Sequence, residues 1–175
     1  MKWLLIVIAV LAVAAAIVWL IGSQLPQNHT ASREVRLPVA PEAVWAAITD
    51  IQAFPSWRPD VKQVMTLPDV DGRRHWIEET RTGRIPLVVE RSEPPRRLVL
   101  RIADPNLPFG GTWTYEIAPA SGGSTLTITE NGEVYNPVFR FMSRFVFGYD
   151  GTMKGYLGNL ERKLGAVRGE VARQG

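Results

Sequence analysis

One hundred and seventy-five residues, 46% apolar and 21% charged, suit one globular domain with an appendage and exclude a disordered, collagen-like or multidomain chain. The absence of cysteine removes disulfide frameworks, cysteine-ligated zinc or iron–sulfur centres and thiol nucleophiles, leaving only His29 and His75 for imidazole chemistry. The 20 basic and 17 acidic residues are mixed along the chain and leave a net charge of +3, so no basic patch marks a nucleic-acid binder.

From Trp3 to Gly22 the chain reads WLLIVIAVLAVAAAIVWLIG, without a charge. As a helix this stretch spans about 30 Å, one hydrocarbon core, which predicts a single-pass transmembrane anchor over residues 1–22. Trp3 and Trp19 stand near its ends, where indole rings favour the headgroup layer. Lys2 is the only charged residue before it, and the next charge is Arg33. Positive charge retained inside then places the N-terminus in the cytoplasm and the rest on the exported side, periplasmic or extracellular. The competing reading is a cleaved signal peptide, for which Ala14, Ala15 and Ala16 supply small residues. Either way the lack of cysteine suits an oxidising compartment. Residues 23–32, SQLPQNHTAS, are polar and broken by Pro26, as a linker is.

In REVRLPV, Val35, Leu37 and Val39 alternate with polar residues, predicting a half-buried strand. Pro41 opens PEAVWAAITD, with Glu42 at the positive helix end and Val44, Trp45 and Ile48 on one stripe, a helix of about two turns. The two prolines of IQAFPSWRPD allow only a second short helical turn around Phe54 and Trp57. From Val61 to Val134 six strand-like segments alternate with turns, among them PDVDGR, Thr82-Gly83, SEPPRR, PNLPFGG and PASGGS. That spacing predicts an antiparallel meander. A helical stretch follows from Pro137 to about Ala166, in which Met142, Phe145, Tyr149, Met153, Tyr156, Leu160 and Leu164 share one face. Residues 167–175 form a polar tail. A seven-stranded curved antiparallel sheet with one long helix across it is an α+β fold, and the helix cannot touch every strand. A cavity between the two is the natural result.

The opening strand with PEAVWAAITDIQAFPSWRPDV, the ERSEPPRRLVLRI segment, the GTWTYEI and GSTLTITENGEV pair and the closing helix together resemble the SRPBCC superfamily, also called START-like or helix-grip, in its polyketide cyclase/dehydrase branch. The resemblance covers about residues 32 to 165, within a domain drawn at 33–166. It implies a helix-grip fold with a hydrophobic tunnel, in a superfamily that includes lipid and sterol carriers, hormone and quinone binders and aromatic cyclases. The anchor departs from the soluble cyclase pattern. The expected function is therefore a membrane-tethered module holding a hydrophobic small molecule, a lipid, quinone or polyketide-like compound. The alternatives are a cyclase/dehydrase using a tunnel carboxylate as general acid or base, and an interaction domain with a vestigial cavity. No cofactor, metal or nucleic acid is called for; protein partners are left open, another envelope protein being the partner under the interaction-domain alternative.

Strand parity nominates the inward side chains. Leu126 and Ile128 share a face with Glu130; Trp113, Tyr115 and Ile117 form another; Trp76 carries Glu78 and Thr80 with it, although Ile77 competes for the same side. Glu130 and Glu78 are the candidate acid/base groups, since desolvation disfavours a buried carboxylate's charge. Their structural alternative is a mouth position or a pairing with Arg81 or Arg101. Candidate ligand contacts are Trp57, Trp76, Leu100, Trp113, Tyr115, Glu130, Phe141, Phe145, Tyr149 and Met153. His75 and Glu79 share a face about 13 Å apart, too far for one metal, so His75 reads as a solvated outer-face residue. No nucleophile elbow, P-loop or dinucleotide glycine fingerprint is present. Gly148, Gly151, Gly155 and Gly158 each weaken a helix by about 1 kcal/mol, offset either by tunnel volume or by close packing on the sheet. PVFRFMSRFVFG, with Phe139, Phe141, Phe145 and Phe147, is compatible with a tunnel lip or gate, a membrane-touching surface or a buried first helical turn.

Overall fold

The computed structural model describes residues 2–174, with side chains at all of these except 147 and 166–174. A 23-residue apolar helix, α1 (Lys2–Gln24), leads into β1 (Asn28–Leu37). Then come α2 (Pro41–Thr49), a 3₁₀ turn (Ile51–Ala53), α3 (Phe54–Trp57), β2 (Val61–Val70), β3 (Arg73–Thr80), β4 (Arg84–Glu93), β5 (Arg97–Ile102), β6 (Phe109–Ala120) and β7 (Gly123–Val134). The chain closes with α4 (Pro137–Met142), a π-helical turn (Ser143–Phe147) and α5 (Gly151–Gln174).

The seven strands form one antiparallel sheet in the order β1-β7-β6-β5-β4-β3-β2. After β1, the chain crosses to the far edge through α2 and α3, and the meander from β2 then returns to pair β7 with β1. Proline fixes the first turn of α2, whose Val44, Ala47 and Ile48 are buried. The inner faces of β7 (Leu126, Ile128), β6 (Tyr115, Ile117) and β5 (Leu98, Leu100) meet Met153, Leu157, Leu160 and Leu164 of α5 in one core. Each such side chain contributes roughly 1.5–3 kcal/mol of transfer free energy, which holds α5 on the sheet.

Three expectations are corrected. Residues 28–32 are not linker: Asn28 to Ser32 pair with Glu133 to Thr129 of β7, so only Leu25 to Gln27 separate α1 from the sheet. The loop expected at PNLPFGG ends sooner, since β6 already begins at Phe109. The long helix from Pro137 is not continuous. Gly148 takes φ +73°, a left-handed conformation that breaks the helical path between the π-helical turn and α5. Asn136 starts the first piece separately, its side-chain oxygen accepting from the Val138 and Phe139 amides at 2.9 and 3.3 Å. At the other end α5 continues as helix through Gln174, into the stretch expected as a polar tail, whose side chains lie outside the described residues.

Candidate functional site: a cavity between sheet and helix

A cavity of about 720 Å³ lies between the sheet and the first turns of α5. Its apolar walls come from Ile85 and Leu87 of β4, Leu100 and Ile102 of β5, and Phe109, Trp113 and Tyr115 of β6. Ile48 and Phe54 from α2 and α3 add to them. On α5, Thr152, Gly155 and Asn159 lie three and four apart and so form one cavity-facing stripe. An added Cβ at Gly151 or Gly155 would meet no atom within 4 Å. These glycines therefore leave room beside the cavity rather than enabling close packing on the sheet.

The polar part of the lining is built around Arg58, which leaves α3 and turns inward. Its Nη1 donates to Glu78 Oε1 at 3.0 Å and its Nη2 sits 2.9 Å from Glu78 Oε2, a two-pronged ion pair. Nη2 also donates to Asp60 at 3.0 Å, and the guanidinium lies 5.0 Å from the Phe54 ring and 5.2 Å from the Tyr156 ring. Burial opposes the guanidinium charge, but Glu78 above all, with Tyr156 and Asp60, outweighs this and raises its pKa further. Glu78 and Thr80 are buried with Trp76, so the parity of β3 is the one that Trp76 favours. The Trp76 indole donates to Glu78 Oε1 at 3.3 Å, so the carboxylate is committed to donors on the protein.

Tyr115 and Tyr156 cross edge-on, with ring centroids 5.7 Å apart, and Trp113 and Trp57 pack against Tyr156 at 6.1 and 5.4 Å. Burial pushes the Tyr115 phenol well above its ordinary pKa and that of Tyr156 up as well, so both stay neutral. The cavity thus offers a mostly apolar volume, neutral hydroxyls and one paired guanidinium. Such a lining can accommodate an apolar molecule and can offer a hydrogen bond to one hydroxyl or carbonyl on it.

Of the residues nominated from sequence, Glu78, Leu100, Trp113 and Tyr115 line this cavity. Trp57 supports Tyr156 from behind, Trp76 supports Glu78, and Met153 is fully buried in the core. Glu130 lies on the inner face but outside the cavity lining, 3.7 Å from His29 Nε2. His29 stacks on Tyr149 with centroids 4.0 Å apart. Burial pushes the Glu130 carboxyl up to about 7, against an opposing hydrogen bond from the Trp113 indole, and lowers the His29 pKa. Phe141 and Phe145 pack against each other outside the cavity lining, with tilted rings and centroids 4.9 Å apart, and Phe145 is largely exposed. His75 is on the outer face but half-buried between Leu67 and Val88. Sequence reasoning missed Arg58, Asn159 and Tyr156 as cavity residues. The available signal for Arg58 was an inward carboxylate in need of a cation, with Arg58 set in the aromatic, proline-flanked WRP triplet.

A curved antiparallel sheet gripping a C-terminal helix over an internal cavity defines the helix-grip, START-like class. A family profile described as polyketide cyclase/dehydrase and lipid transport matches residues 28–165, and the chain belongs to that family. Among solved structures, it is similar to a START superfamily protein from Mycobacterium smegmatis, with 15% identity, TM-score 0.62 and coverage of 79% of this chain and 99% of that one. It is also similar to the ZhuI aromatase/cyclase from Streptomyces sp. R1128, at 11% identity and TM-score 0.64, covering 78% of this chain and 93% of that one. The di-domain aromatase/cyclase StfQ of the steffimycin biosynthetic pathway matches at 15% identity and TM-score 0.65 over 82% of this chain. The chain spans 52% of the length of that di-domain protein. No curated protein matches.

Proposed function

We propose that the protein is a membrane-tethered module that holds one hydrophobic small molecule, of lipid, quinone or polyketide-like character, between its sheet and α5. The single observation that carries this reading is the cavity of about 720 Å³ with apolar walls and a paired Arg58–Glu78 group in its lining. α1, whose most apolar 18-residue stretch has a mean hydropathy of 3.2, is long and apolar enough to cross a membrane, and Lys2 at its first position supports a cytoplasmic N-terminus with the domain exported. A cyclase or dehydrase would need a cavity carboxyl free to move a proton. Glu78 is engaged by Arg58 and Trp76, and Glu130 stands outside the lining, which favours binding over catalysis.

Native mass spectrometry of the full chain released from mild detergent, with organic extraction of the same sample, tests this. One apolar molecule per chain, or stoichiometric uptake of an anthracene-labelled fatty acid, is the expected result. A chain that neither carries nor takes up any such molecule overturns the proposal.

A further inference from the structure

The segment between β7 and α5 exposes Val138, Phe139, Phe145 and Val146, the last two at 59% and 58%. Exposed rings and branched aliphatics on a folded domain need an apolar neighbour, and their placement indicates which. α4 is fastened to the end of α1: a Cβ on the buried Gly22 would overlap the Pro137 carbonyl, and Arg140 Nη1 donates to the Leu25 carbonyl at 2.8 Å. The exposed face of α4 is therefore continuous with the exposed Trp19, Leu20 and Ile21 of α1. Contact between the Phe141 and Phe145 rings, tilted at 49° with centroids 4.9 Å apart, joins α4 to the π-helical turn as one ridge. Between Glu133 and Asp150 there is no carboxylate, and the exposed Arg144 stands among the aromatic residues, while Arg140 is taken up by the Leu25 carbonyl. Apolar side chains around an exposed arginine beside the end of a membrane span are the chemistry of an interfacial segment facing anionic headgroups.

Resting on the tether reading of α1, we propose that the ridge from Val138 to Val146 is a second lipid contact, lying in the headgroup layer against the bilayer that α1 crosses. Gly151 and Thr152 of the cavity lining follow this ridge five and six residues on in the chain, past the break at Gly148. Seating the ridge brings that side of the cavity to the membrane surface, where a hydrophobic ligand resides.

The cysteine-free sequence allows a direct test. Spin labels are placed singly through Phe139→Cys, Phe145→Cys and Val146→Cys on the ridge. Val10→Cys in mid-α1 and Ser121→Cys in the β6–β7 turn serve as lipid and water references. The full chain is reconstituted in nanodiscs of phosphatidylcholine and phosphatidylglycerol, and collisions with oxygen and with a water-soluble nickel chelate are compared. The ridge labels should favour oxygen several-fold over the Ser121 label, approaching the Val10 label. Ridge labels that match Ser121 while Val10 stays lipid-like overturn the ridge contact and leave the tether standing. A Val10 label read as aqueous removes both. Ridge labels shielded from both reagents point to a protein partner or a second copy, which also overturns the proposal.

Discussion

Two carboxylates on the inner face of one sheet meet different fates because only one has a cation within reach. Glu78 is held by Arg58, and both side chains are nearly buried, at 6% and 11% exposure. Removing one partner strands the other charge in the interior, so Glu78→Ala should lower stability by about 3–5 kcal/mol in urea melts. The double variant Arg58→Met/Glu78→Leu should recover most of that loss. A double variant as unstable as the sum of the singles would show that the two groups do not act as a pair. Glu130 lacks a strong partner, and burial raises its carboxyl to about 7 from an ordinary 4.5. A carboxyl raised in the fold stabilises it fully below the unfolded value and loses that contribution as pH rises through about 7. The neighbouring His29, lowered by burial, acts in the opposite sense as pH falls below its ordinary 6.5, and Tyr149 is the ring that covers it. Against Glu130→Gln, the parent chain should therefore lose on the order of 3 kcal/mol of relative stability between pH 4.5 and 8, followed by thermal melts across that window. A constant difference would mean that Glu130 titrates in the fold as it does in the unfolded chain. At this scale strand parity located Glu78, Tyr115 and Trp113 because side-chain direction alternates strictly along a strand. It missed Arg58, which follows a four-residue helix that contains Pro55 and is closed off by Pro59, so no period exists there to be counted.

The element that least resembles its sequence pattern is the closing helix. Its apolar spacing runs unbroken from Met142 to Leu164, yet the chain divides at Gly148, because α4 is committed to the end of α1 while α5 is committed to the sheet. Periodicity records that each turn has an apolar face and carries no record of which neighbour the face meets. The glycines that follow are informative for the same reason. At Gly155 an added side chain finds open space and extends the Thr152–Asn159 stripe toward the cavity. Gly155→Leu should therefore raise stability by up to about 1 kcal/mol through helix propensity while reducing uptake of a labelled fatty acid. A destabilised variant would place an unseen contact at that position. Unchanged uptake would show that the ligand occupies another part of the cavity. Phe145 belongs to a different element with a different task. Neither it nor Phe141 borders the cavity, so Phe145→Ala should change stability by no more than about 0.5 kcal/mol and leave fatty-acid affinity intact, as titration of the folded variant would show.

At the scale of the molecule, the sheet is complete only because its first strand pairs with its last, across about a hundred residues of chain. The alternation of Val35 with Leu37 reveals part of that strand. Its first half, NHTAS, is polar and small and reads as linker, because an edge strand needs no apolar side chain where its backbone bonds to β7. The order of strands and helices, by contrast, was legible throughout, since turn residues and period-two runs mark every hairpin from β2 to β7. The hidden half-strand has a practical consequence. A fragment starting at Arg33 loses the pairing of Asn28–Ser32 with Glu133–Thr129, together with the Thr30–Asn131 and Ser32–Thr129 side-chain hydrogen bonds. At about 0.5–1.5 kcal/mol net per hydrogen bond, several kcal/mol of stability go with it. A fragment starting at Leu25 keeps the whole strand and, lacking α1, uncovers the ridge side that Gly22 packs against. The longer fragment should therefore melt well above the shorter one, by roughly ten degrees or more for a domain of this size. It should also need detergent to stay monodisperse, because apolar surface meant for α1 and the bilayer then faces water. Differential scanning calorimetry with light scattering on both fragments decides it. Equal melting temperatures would mean that the first half of β1 contributes nothing to the fold, and a longer fragment monodisperse without detergent would mean that the ridge is not a hydrophobic surface in solution.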